Sequence, residues 1–245
     1  MSDTVATLSP VLLEGLRQLH LQLSTHQYEQ LLRYRQELLD WNTRVNLTAI
    51  KEPEDVDVKH FLDSLSLLAV YDQLEAHVLD IGSGAGFPGL ALKIIRPAWH
   101  VTSLEATGKK TTFQQHIIDT LQLTNTVTIH ARAEELAQQQ AYREMFDMVT
   151  ARAVAALPAL LEYCAPYCRV EGVIVLPKKG DLAAELAQGK RAATQVGAVL
   201  KADVPVTLSG LDDGRRLLVW EQKKRCPALF PRSGAAMAKK PLGTG

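Results

Sequence analysis

The stretch VLDIGSGAGFPGLAL, residues 78–92, decides the fold class of this chain. Its apolar start ends at Ile81, and glycines then stand at Gly82, Gly84, Gly86 and Gly89. Because glycine has no Cβ, the backbone at such positions can turn sharply and a ligand can lie directly against the peptide groups. The stretch therefore predicts a buried strand, a ligand-binding turn and the first turn of a helix.

The sequence around this stretch alternates between short apolar runs and helical patterns. The apolar runs predict strands at 77–82, 100–105, 126–130, 146–151 and 172–177. The helical patterns fall between and after them, at 89–96, 108–122, 133–141, 154–168 and 181–198. This order is typical of a parallel β-sheet that carries helices on both faces.

Two further strands, predicted at 203–208 and 216–222, break the alternation. The residues between them, GLDDG at 210–214, have the composition of a hairpin turn and not of a helical crossover. The last strand is therefore expected to run antiparallel. The predicted fold class is α/β, with a seven-stranded, mostly parallel sheet whose last strand is antiparallel.

The first 75 residues carry helical patterns and no strand signal. Helices are predicted at 9–24, 25–41 and 53–71, with Ser9 and Thr25 as N-caps. The chain is therefore expected to divide into a helical N-terminal cap (1–75), a sheet domain (76–222) and a tail (223–245).

The tail differs from the rest of the chain in charge. The chain has 27 basic and 27 acidic side chains, but 223–245 has six basic residues and no acidic one. Its prolines, in a basic setting, predict an extended, partly mobile segment that could reach phosphate groups.

Composition argues against several classes of protein. The sequence shows no basic and apolar leader and no apolar run long enough to span a bilayer, so we expect a cytoplasmic protein without a membrane partner. Cys164, Cys168 and Cys226 have neither disulfide-framework nor zinc spacing, and the first two are expected to be buried on one helix face. No metal site is predicted.

The glycine turn by itself fits two nucleoside cofactors. It contains the G-x-G-x-x-G pattern of dinucleotide-binding enzymes, and Glu105 follows where a carboxylate would meet a ribose. Asp80, however, would repel a pyrophosphate and attract the ammonium and sulfonium charges of S-adenosylmethionine. Together with the terminal hairpin, which is unusual in NAD-binding domains, Asp80 favours S-adenosylmethionine. An NAD-dependent oxidoreductase is the alternative.

Several stretches along the chain carry a more specific signal. They are WNTRVNLTAI (41–50), HFLDSL (60–65), LDIGSGAGFPGLALKI (79–94), LEATGKKTTF (104–113), ARAEEL (131–136), FDMVTARAVAALPAL (146–160), and the FPR and KKPL of the tail. Through them, nearly the whole chain resembles the bacterial small-subunit rRNA methyltransferases of the RsmG (GidB) type. The chain departs from that pattern at Ala106, where many members have serine, and in the tail segment AAMAKKPL.

The resemblance implies a class I, Rossmann-like methyltransferase with a helical N-terminal extension, which uses S-adenosylmethionine to methylate N7 of one guanine in the 530 loop of 16S rRNA. The residues that it assigns to the cofactor are Gly82, Phe87, Glu105, Ala133, Glu134 and Arg152. Asp80, Gly84 and Gly86 join them because of the charge and backbone properties given above. The expected partner is 16S rRNA or the 30S ribosomal subunit, and the chain is expected to be a monomer. Two alternatives stay open, another RNA substrate and a non-catalytic RNA-binding assembly factor.

Methylation of guanine N7 requires little acid–base chemistry from the protein. N7 carries a lone pair in the base plane and no proton, so positioning should dominate over general-base catalysis. Arg152 is the candidate for a residue between cofactor and base, and an ion pair with Asp80 or Asp147 is the structural alternative. The same cleft is expected to contain Asn46, His60, Asp63 and Ser64, of which Asn46 and His60 are catalytic candidates. For the last three, a local hydrogen-bond network is the alternative.

Cationic side chains are the candidates for RNA contact. They are Lys109, Lys110, Lys178, Lys179, Lys223, Lys224 and Arg232. For each lysine alone, a solvated surface position is the alternative. Deletion of 223–245 is expected to weaken RNA binding and to flatten its salt dependence, while cofactor affinity stays nearly intact.

Overall fold

A computed structural model describes residues 7–152 and 154–243 of the chain. Within these residues, seven strands form one sheet in the order β3-β2-β1-β4-β5-β7-β6. Their bounds are β1 His77–Ile81, β2 His100–Glu105, β3 Thr126–His130, β4 Phe146–Ala151, β5 Cys168–Lys178, β6 Ala198–Pro205 and β7 Arg216–Gln222. Six strands share one direction, and β7 lies antiparallel between β5 and β6. The predicted α/β class and the antiparallel last strand are confirmed.

Two strands have bounds that differ from the prediction by more than one residue. β5 begins at Cys168 and not at 172, and its added first residues pair irregularly with β4, with a register shift between Phe146 and Met148. The prediction of 203–208 for β6 is wrong, since β6 begins directly after Gly197, whose φ of 84° ends the preceding helix. Pairing of β6 with β7 then sets the rest of its bounds.

The N-terminal cap begins with two helices, α1 (Pro10–Gln18) and α2 (Thr25–Asn42). Ser9 caps α1, as predicted. α1 ends well before the predicted bound, because His20 adopts a left-handed φ of 56° that is incompatible with a continuing helix. The N-cap of α2 is Ser24 and not the predicted Thr25. The Ser24 side chain accepts a hydrogen bond from the N–H of Gln27, and the Gln27 side chain accepts one from the N–H of Ser24, which is a capping box.

A third helical segment occupies 53–69 of the predicted range 53–71 but is not a uniform α-helix. It consists of α3 (Pro53–Val56), a π-helical stretch (Asp57–Leu62), α4 (Asp63–Leu65) and a 3₁₀ turn (Ser66–Ala69). π-helical turns inside helices are frequent at functional sites. This one contains His60, one of the predicted cleft residues.

The remaining helices pack on both faces of the sheet. They are α5 Gly89–Ile95, α6 Gly108–Thr120, α7 Ala133–Leu136, α8 Leu157–Cys164, α9 Ala183–Val196 and α10 Gly234–Lys239. Because neighbouring strand residues point to opposite faces, Val78 of β1 packs in the core that contains α5 and α6. Leu79 packs in the core that contains α8 and α9. The predicted helix 133–141 is interrupted after α7 and resumes only as a 3₁₀ turn, Gln140–Tyr142.

The N-terminal cap shares a core with the sheet. Leu31 of α2 and Phe61 of the π-helical stretch belong to the same buried cluster as Val78. An ion pair of 2.6 Å between Arg35 and Asp57, whose side chains are almost completely buried, joins α2 to the third helical segment. The cap therefore shares one continuous core with α5, α6 and one face of the sheet rather than forming a separate lobe.

The tail is packed against the sheet domain, which corrects the expectation of an extended and partly mobile segment. Cys226, Phe230, Met237 and Leu242 are buried. Arg191 of α9 donates to the carbonyl of Gly243 at 2.8 Å, near the end of the described tail. The apolar side chains of the tail anchor it to the sheet domain, although its prolines and lysines predicted an extended segment.

The cysteines are free and buried, as expected, but not on one helix face. Cys164 is the last residue of α8, whereas Cys168 is the first residue of β5. None of the described helices is long and apolar enough to cross a membrane. Among residues 7–152 and 154–243, no group of three or more potential ligand side chains is arranged to hold a metal ion.

Candidate functional site

Two cavities lie at the carboxyl ends of the parallel strands, the edge at which open α/β sheets bind ligands. The small cavity, about 210 Å³, follows β1 to β3. Its lining includes Gly82, Glu105, Ala133, Glu134, Val154 and Tyr163. The large cavity, about 510 Å³, follows β4 and β5 and faces the N-terminal cap. Its lining includes Lys59, His60, Asp63, Arg152, Lys178, Lys179, Glu185 and Arg215.

The glycine turn has the backbone that its sequence predicts. Gly82, Gly84 and Gly86 have φ values of 67°, 60° and 96°, a region that side chains disfavour. A Cβ on Gly82 would lie 2.5 Å from the Val154 side chain, whereas a Cβ on Gly84 would meet nothing within 4 Å. The turn is therefore closed on one side by packing and open beside Gly84.

Glu105 is held at the edge of the small cavity by two backbone groups. The N–H of Gly84 donates to Oε2 and the N–H of Thr107 donates to Oε1, both at 2.9 Å. Each carboxylate oxygen keeps a further lone pair for a ligand. The position at the end of β2 suits recognition of hydroxyl groups, which agrees with the predicted ribose contact.

Asp80 is fully buried beneath the turn and lines neither cavity. Its Oδ2 accepts from the N–H of Gly89 at 2.8 Å, at the start of α5. Its Oδ1 has no hydrogen-bond partner, and burial raises the pKa of this carboxyl to about 7. The hydroxyls of Ser103 and Thr150, which neighbour Asp80 on β2 and β4, also lack partners. A cationic ligand group above the turn would interact favourably with this polar layer.

Phe87, which the resemblance assigns to the cofactor, packs its ring against the N-terminal cap. Its ring is buried and stacks between Tyr34, at 5.0 Å, and His60, at 4.5 Å between ring centroids. Tyr34 also donates from its hydroxyl to the carbonyl of Ala85 at 2.6 Å. The Phe87 ring therefore packs within the cap, and its assignment to the cofactor stays a prediction.

Arg152 follows β4 and lies at the centre of a polar network. It donates to Asp63 at 2.6 Å, to the carbonyl of Lys59 at 3.2 Å and to Nδ1 of His60 at 3.3 Å. The expected alternative partners are wrong, because Asp147 instead accepts from Arg169 and from the N–H of His77 at the opposite edge of the sheet. Arg215, from the hairpin before β7, forms a second ion pair with Asp63.

The surroundings of His60 keep its ring neutral. Burial, and secondarily the charge of Arg152, lower the pKa of His60 to about 3. Since Arg152 only donates, Nδ1 must be the acceptor, and Nε2 then carries the proton and donates to Thr48 Oγ1 at 2.9 Å. Ser64 donates to the carbonyl of His60 at 2.5 Å. The polar stripe is thus a satisfied network that also borders the large cavity.

Asn46 is not part of this arrangement. Its side chain is exposed and lines neither cavity. The neighbouring Asn42 instead organises the loop, since its amide contacts the backbone of Leu47 and Thr48 at 2.9 to 3.0 Å. These bonds place Thr48 against His60.

The predicted RNA-binding residues lie in different regions of the molecule. Lys178 and Lys179 line the large cavity, where Lys178 pairs with Glu185 at 2.7 Å. Lys109 and Lys110 lie in the first turn of α6, at the same sheet edge. Lys223 and Lys224 follow β7, so they lie at the opposite edge, where their N–H groups bond to Gly197. Arg232 is paired with buried Glu162.

Several residues of the network carry no signal in the sequence. Arg215 and Tyr34 reach the site from the hairpin and the cap, and no motif marks them. Thr48 lies within the stretch 41–50, but nothing in that stretch singles it out as a partner of His60. Tyr163 lines the small cavity from α8. Its spacing within an apolar helix predicts only a core position.

Comparisons with known proteins agree with this geometry. The family described as GidB, rRNA small subunit methyltransferase G, matches residues 27–212. A ribosomal RNA small subunit methyltransferase G from Dehalococcoides mccartyi (strain CBDB1) is 44% identical over 231 residues, which cover 94% of this chain and 98% of that protein. One from Roseiflexus sp. (strain RS-1) is 43% identical over 232 residues, covering 95% and 99%. The chain belongs to the rRNA small subunit methyltransferase G family.

Solved structures with a similar fold have low sequence identity to this chain. TYW2 from M. jannaschii, in complex with AdoMet, superposes with a TM-score of 0.51 at 16% identity, covering 66% of this chain and 76% of that chain. TrmN from Thermus thermophilus superposes with a TM-score of 0.51 at 18% identity, covering 66% and 48%. At these identities the likeness shows the Rossmann-like fold alone.

Membership of the rRNA small subunit methyltransferase G family makes this protein an S-adenosylmethionine-dependent rRNA methyltransferase. The NAD-dependent oxidoreductase is thereby excluded. The small cavity fits a nucleoside cofactor because it has an open glycine turn and a backbone-held carboxylate at Glu105. Residues that would hold the nucleoside there are Gly82, Glu105, Ala133 and Glu134.

Proposed function

We propose that this rRNA methyltransferase modifies N7 of a guanine in the 530 loop of 16S rRNA. The observation that carries the guanine-N7 proposal is the large cavity, which combines cationic side chains with the lack of a free general base among its described lining residues. The choice of the 530 loop rests on the resemblance described above.

Each group in the large cavity that could accept a proton is already engaged. His60 is neutral and has both ring nitrogens in hydrogen bonds. Asp63 pairs with two arginines, and Glu185 accepts from Lys178 and from the N–H of Leu157. A hydroxyl or an exocyclic amine must lose a proton to become methylated, whereas guanine N7 has none to lose. The cavity therefore favours N7.

The charges of the large cavity favour a polyanionic substrate. Three lysines and two arginines line it, against two carboxylates: Lys59, Lys178, Lys179, Arg152 and Arg215 against Asp63 and Glu185. Neutralisation of RNA phosphates by such side chains supplies affinity without sequence readout. A guanine must in addition leave its stack to reach a concave site.

In this proposal, one set of residues orients the cofactor in the small cavity and another orients the base in the large cavity. Glu105 and the glycine turn would orient the nucleoside of the cofactor, which supplies the methyl group on a cationic sulfur. Arg152, which Asp63 holds at the wall of the large cavity, would orient the incoming base. The contribution of the protein is orientation, which in good geometry is worth several kcal/mol or more.

The test maps the modified nucleotide. RNA is isolated from cells that carry or lack this protein, and the 530 loop of the 16S rRNA is cleaved chemically at N7-methylguanine. We expect one strong cleavage site that disappears in cells without the protein and returns with the wild-type chain. A methyl group at another atom, or in another RNA, would overturn the proposal. Parallel reactions on naked 16S rRNA and on 30S subunits identify the form of substrate.

A further inference from the structure

The C-terminal tail contacts both walls of the small cavity. One wall is formed by residues 131–134 and the other by α8. Just beyond the first wall, Gln138 donates to the carbonyl of Pro231 at 3.1 Å. On the second wall, Arg232 pairs with Glu162 of α8. The tail therefore bridges two elements that enclose the cavity.

The contact with α8 is a complete carboxylate anchor. The Glu162 side chain is fully buried and accepts from Nε and Nη2 of Arg232, each at 2.7 Å. The backbone N–H of Arg232 donates to the same carboxylate at 2.9 Å. A buried carboxylate is stable only with such a set of donors, so this pair fixes where the tail crosses α8.

A second anchor ties the tail to the segment after α7. Arg143 donates to the carbonyl of Ala137 at 3.0 Å and to the carbonyl of Phe230 at 2.8 Å. The Phe230 side chain is buried in the core that also contains Leu136 and Leu161. The backbone of the tail is therefore held on both sides of Pro231.

Gly234 brings the tail to the cavity itself. A Cβ built on Gly234 would lie 3.2 Å from Oε1 of Glu134 and 3.8 Å from the hydroxyl of Tyr163. Both of these side chains line the small cavity. The tail thus limits where the Glu134 carboxylate and the Tyr163 ring can lie.

We propose that the tail is a working part of the cofactor site and that Arg232 is a positioning residue, which acts through Glu134 and Tyr163. The proposal rests on the assignment of the cofactor to the small cavity. It replaces the expectation that removal of 223–245 leaves cofactor affinity nearly intact. Because coupling between two sites is reciprocal, binding of the cofactor must stabilise the tail by the factor by which the tail strengthens binding.

The first experiment is a calorimetric titration with S-adenosylhomocysteine of the full chain and of Arg232→Gln. We expect about tenfold weaker binding in the variant. The matched control is Lys239→Gln with Lys240→Gln, which removes two exposed charges from the same tail and should keep the affinity within about twofold. Circular dichroism establishes that each variant is folded.

Two further measurements decide the matter if Arg232→Gln does not fold. Gly234→Ala keeps the ion pair of Arg232 but places a methyl group against the Glu134 carboxylate. The affinity for S-adenosylhomocysteine should fall about twofold or more. The melting temperature should stay unchanged or rise, because alanine favours a helix more than glycine does. In the wild-type chain, S-adenosylhomocysteine should slow hydrogen exchange of the amides at 230–240. If the tail had only a structural role, Gly234→Ala would not lower the affinity without lowering the melting temperature. S-adenosylhomocysteine would then also leave hydrogen exchange at 230–240 unchanged.

Failure of this inference is distinguishable from failure of the cavity assignment. Glu105→Gln, which alters the small cavity without touching the tail, should weaken binding of S-adenosylhomocysteine. If it does so while the tail variants bind like the wild type and exchange at 230–240 is unchanged, the coupling is refuted. If Glu105→Gln also binds like the wild type, the cofactor lies elsewhere and the coupling falls with the assignment.

Discussion

His60 illustrates how neighbouring side chains determine the chemistry of a single residue. A histidine at a cavity edge would ordinarily be a candidate acid or base. Here its ring is stacked on Phe87, bonded at both nitrogens and adjacent to the Arg152 cation. The neutral ring thus serves to position Arg152, and its unusual protonation has a measurable consequence for stability.

The stability of the protein should depend on pH through His60. Burial lowers the pKa of His60 from 6.5 to about 3, so between these values the unfolded chain binds a proton that the folded chain does not. Unfolding free energy should therefore fall as pH falls through 6.5, by about 2 kcal/mol from this residue at pH 5. His60→Phe, which keeps a ring against Phe87, should lose this component.

The measurement is denaturant unfolding of both proteins at pH 7.5 and pH 5. The difference between wild type and His60→Phe should change by about 2 kcal/mol between the two conditions. His26→Gln, at an exposed position of α2, is the matched control and should show no such change. An equal pH response of wild type and His60→Phe would mean that the buried ring is charged.

Asp63 should matter for catalysis because it holds Arg152. In Asp63→Asn the charge that orients both Arg152 and Arg215 is lost. We expect the single-turnover rate of methyl transfer to fall about tenfold or more, since orientation dominates this reaction. Asp40→Asn, which breaks the exposed ion pair between Asp40 of α2 and Arg44, should leave the rate unchanged. A rate within twofold of wild type in Asp63→Asn would contradict the proposal that Arg152, oriented by Asp63, acts in methyl transfer.

At the scale of elements, α2 and the glycine turn act as one unit. Tyr34 of α2 stacks on Phe87 and donates to the carbonyl of Ala85, so the cap holds the turn from outside the sheet domain. A Cβ on Gly86 would lie 2.4 Å from the Tyr34 hydroxyl. The glycine at this position is therefore needed for the approach of a helix as well as for a turn.

Tyr34→Phe should uncouple α2 from the turn while keeping the ring stack. The Ala85 carbonyl would lose a buried hydrogen bond, at a cost of about 1 to 2 kcal/mol in unfolding free energy. Because the turn lines the cofactor site, the affinity for S-adenosylhomocysteine should fall as well, by about threefold. Chemical denaturation and calorimetry measure the two effects.

Tyr28→Phe provides the control for this prediction. Tyr28 also lies in α2, and its hydroxyl accepts from the N–H of Leu8 at 3.1 Å, away from the turn. This variant should lose stability but bind the cofactor product like the wild type. If both tyrosine variants lowered affinity equally, the effect would be general to α2 and not specific to the turn.

At the scale of the whole molecule, strand direction sorts the cationic residues. The parallel strands end at the two cavities, whereas antiparallel β7 ends at the opposite edge of the sheet. Lys223 and Lys224 are thereby separated from Lys178 and Lys179, although each of the two lysine pairs lies at the end of a strand. We therefore expect the pairs at the cavity edge, and not Lys223 and Lys224, to contact an RNA whose target base enters the large cavity.

RNA binding should therefore respond to the cavity-edge lysines and not to the lysines after β7. In the double variant Lys109→Gln, Lys110→Gln, RNA affinity should fall and the slope of log K against log salt should decrease by about one to two. The matched double variant Lys223→Gln, Lys224→Gln should bind RNA like the wild type. Filter binding across a range of salt concentrations measures both. The opposite ranking of the two variants would place the RNA on the other edge.

The sequence alone determined the strand, glycine turn and helix around residues 78–92, the alternation of strands and helices along the chain and the antiparallel last strand. These features depend on local properties: periodicity within an element, the backbone freedom of glycine and the length of a connection. The small cavity was predicted in outline for the same reason, because Gly82, Glu105 and Ala133 follow three consecutive strands.

The tertiary structure decided the partners of the functional side chains. Arg152 pairs with Asp63 and not with Asp80 or Asp147, and Phe87 stacks within the cap. The tail joins the walls of the small cavity through Arg232. These contacts connect residues far apart in the chain, and their geometry depends on how helices pack and where strands end. Local patterns contain no information about such distances, so only the packed fold could assign them.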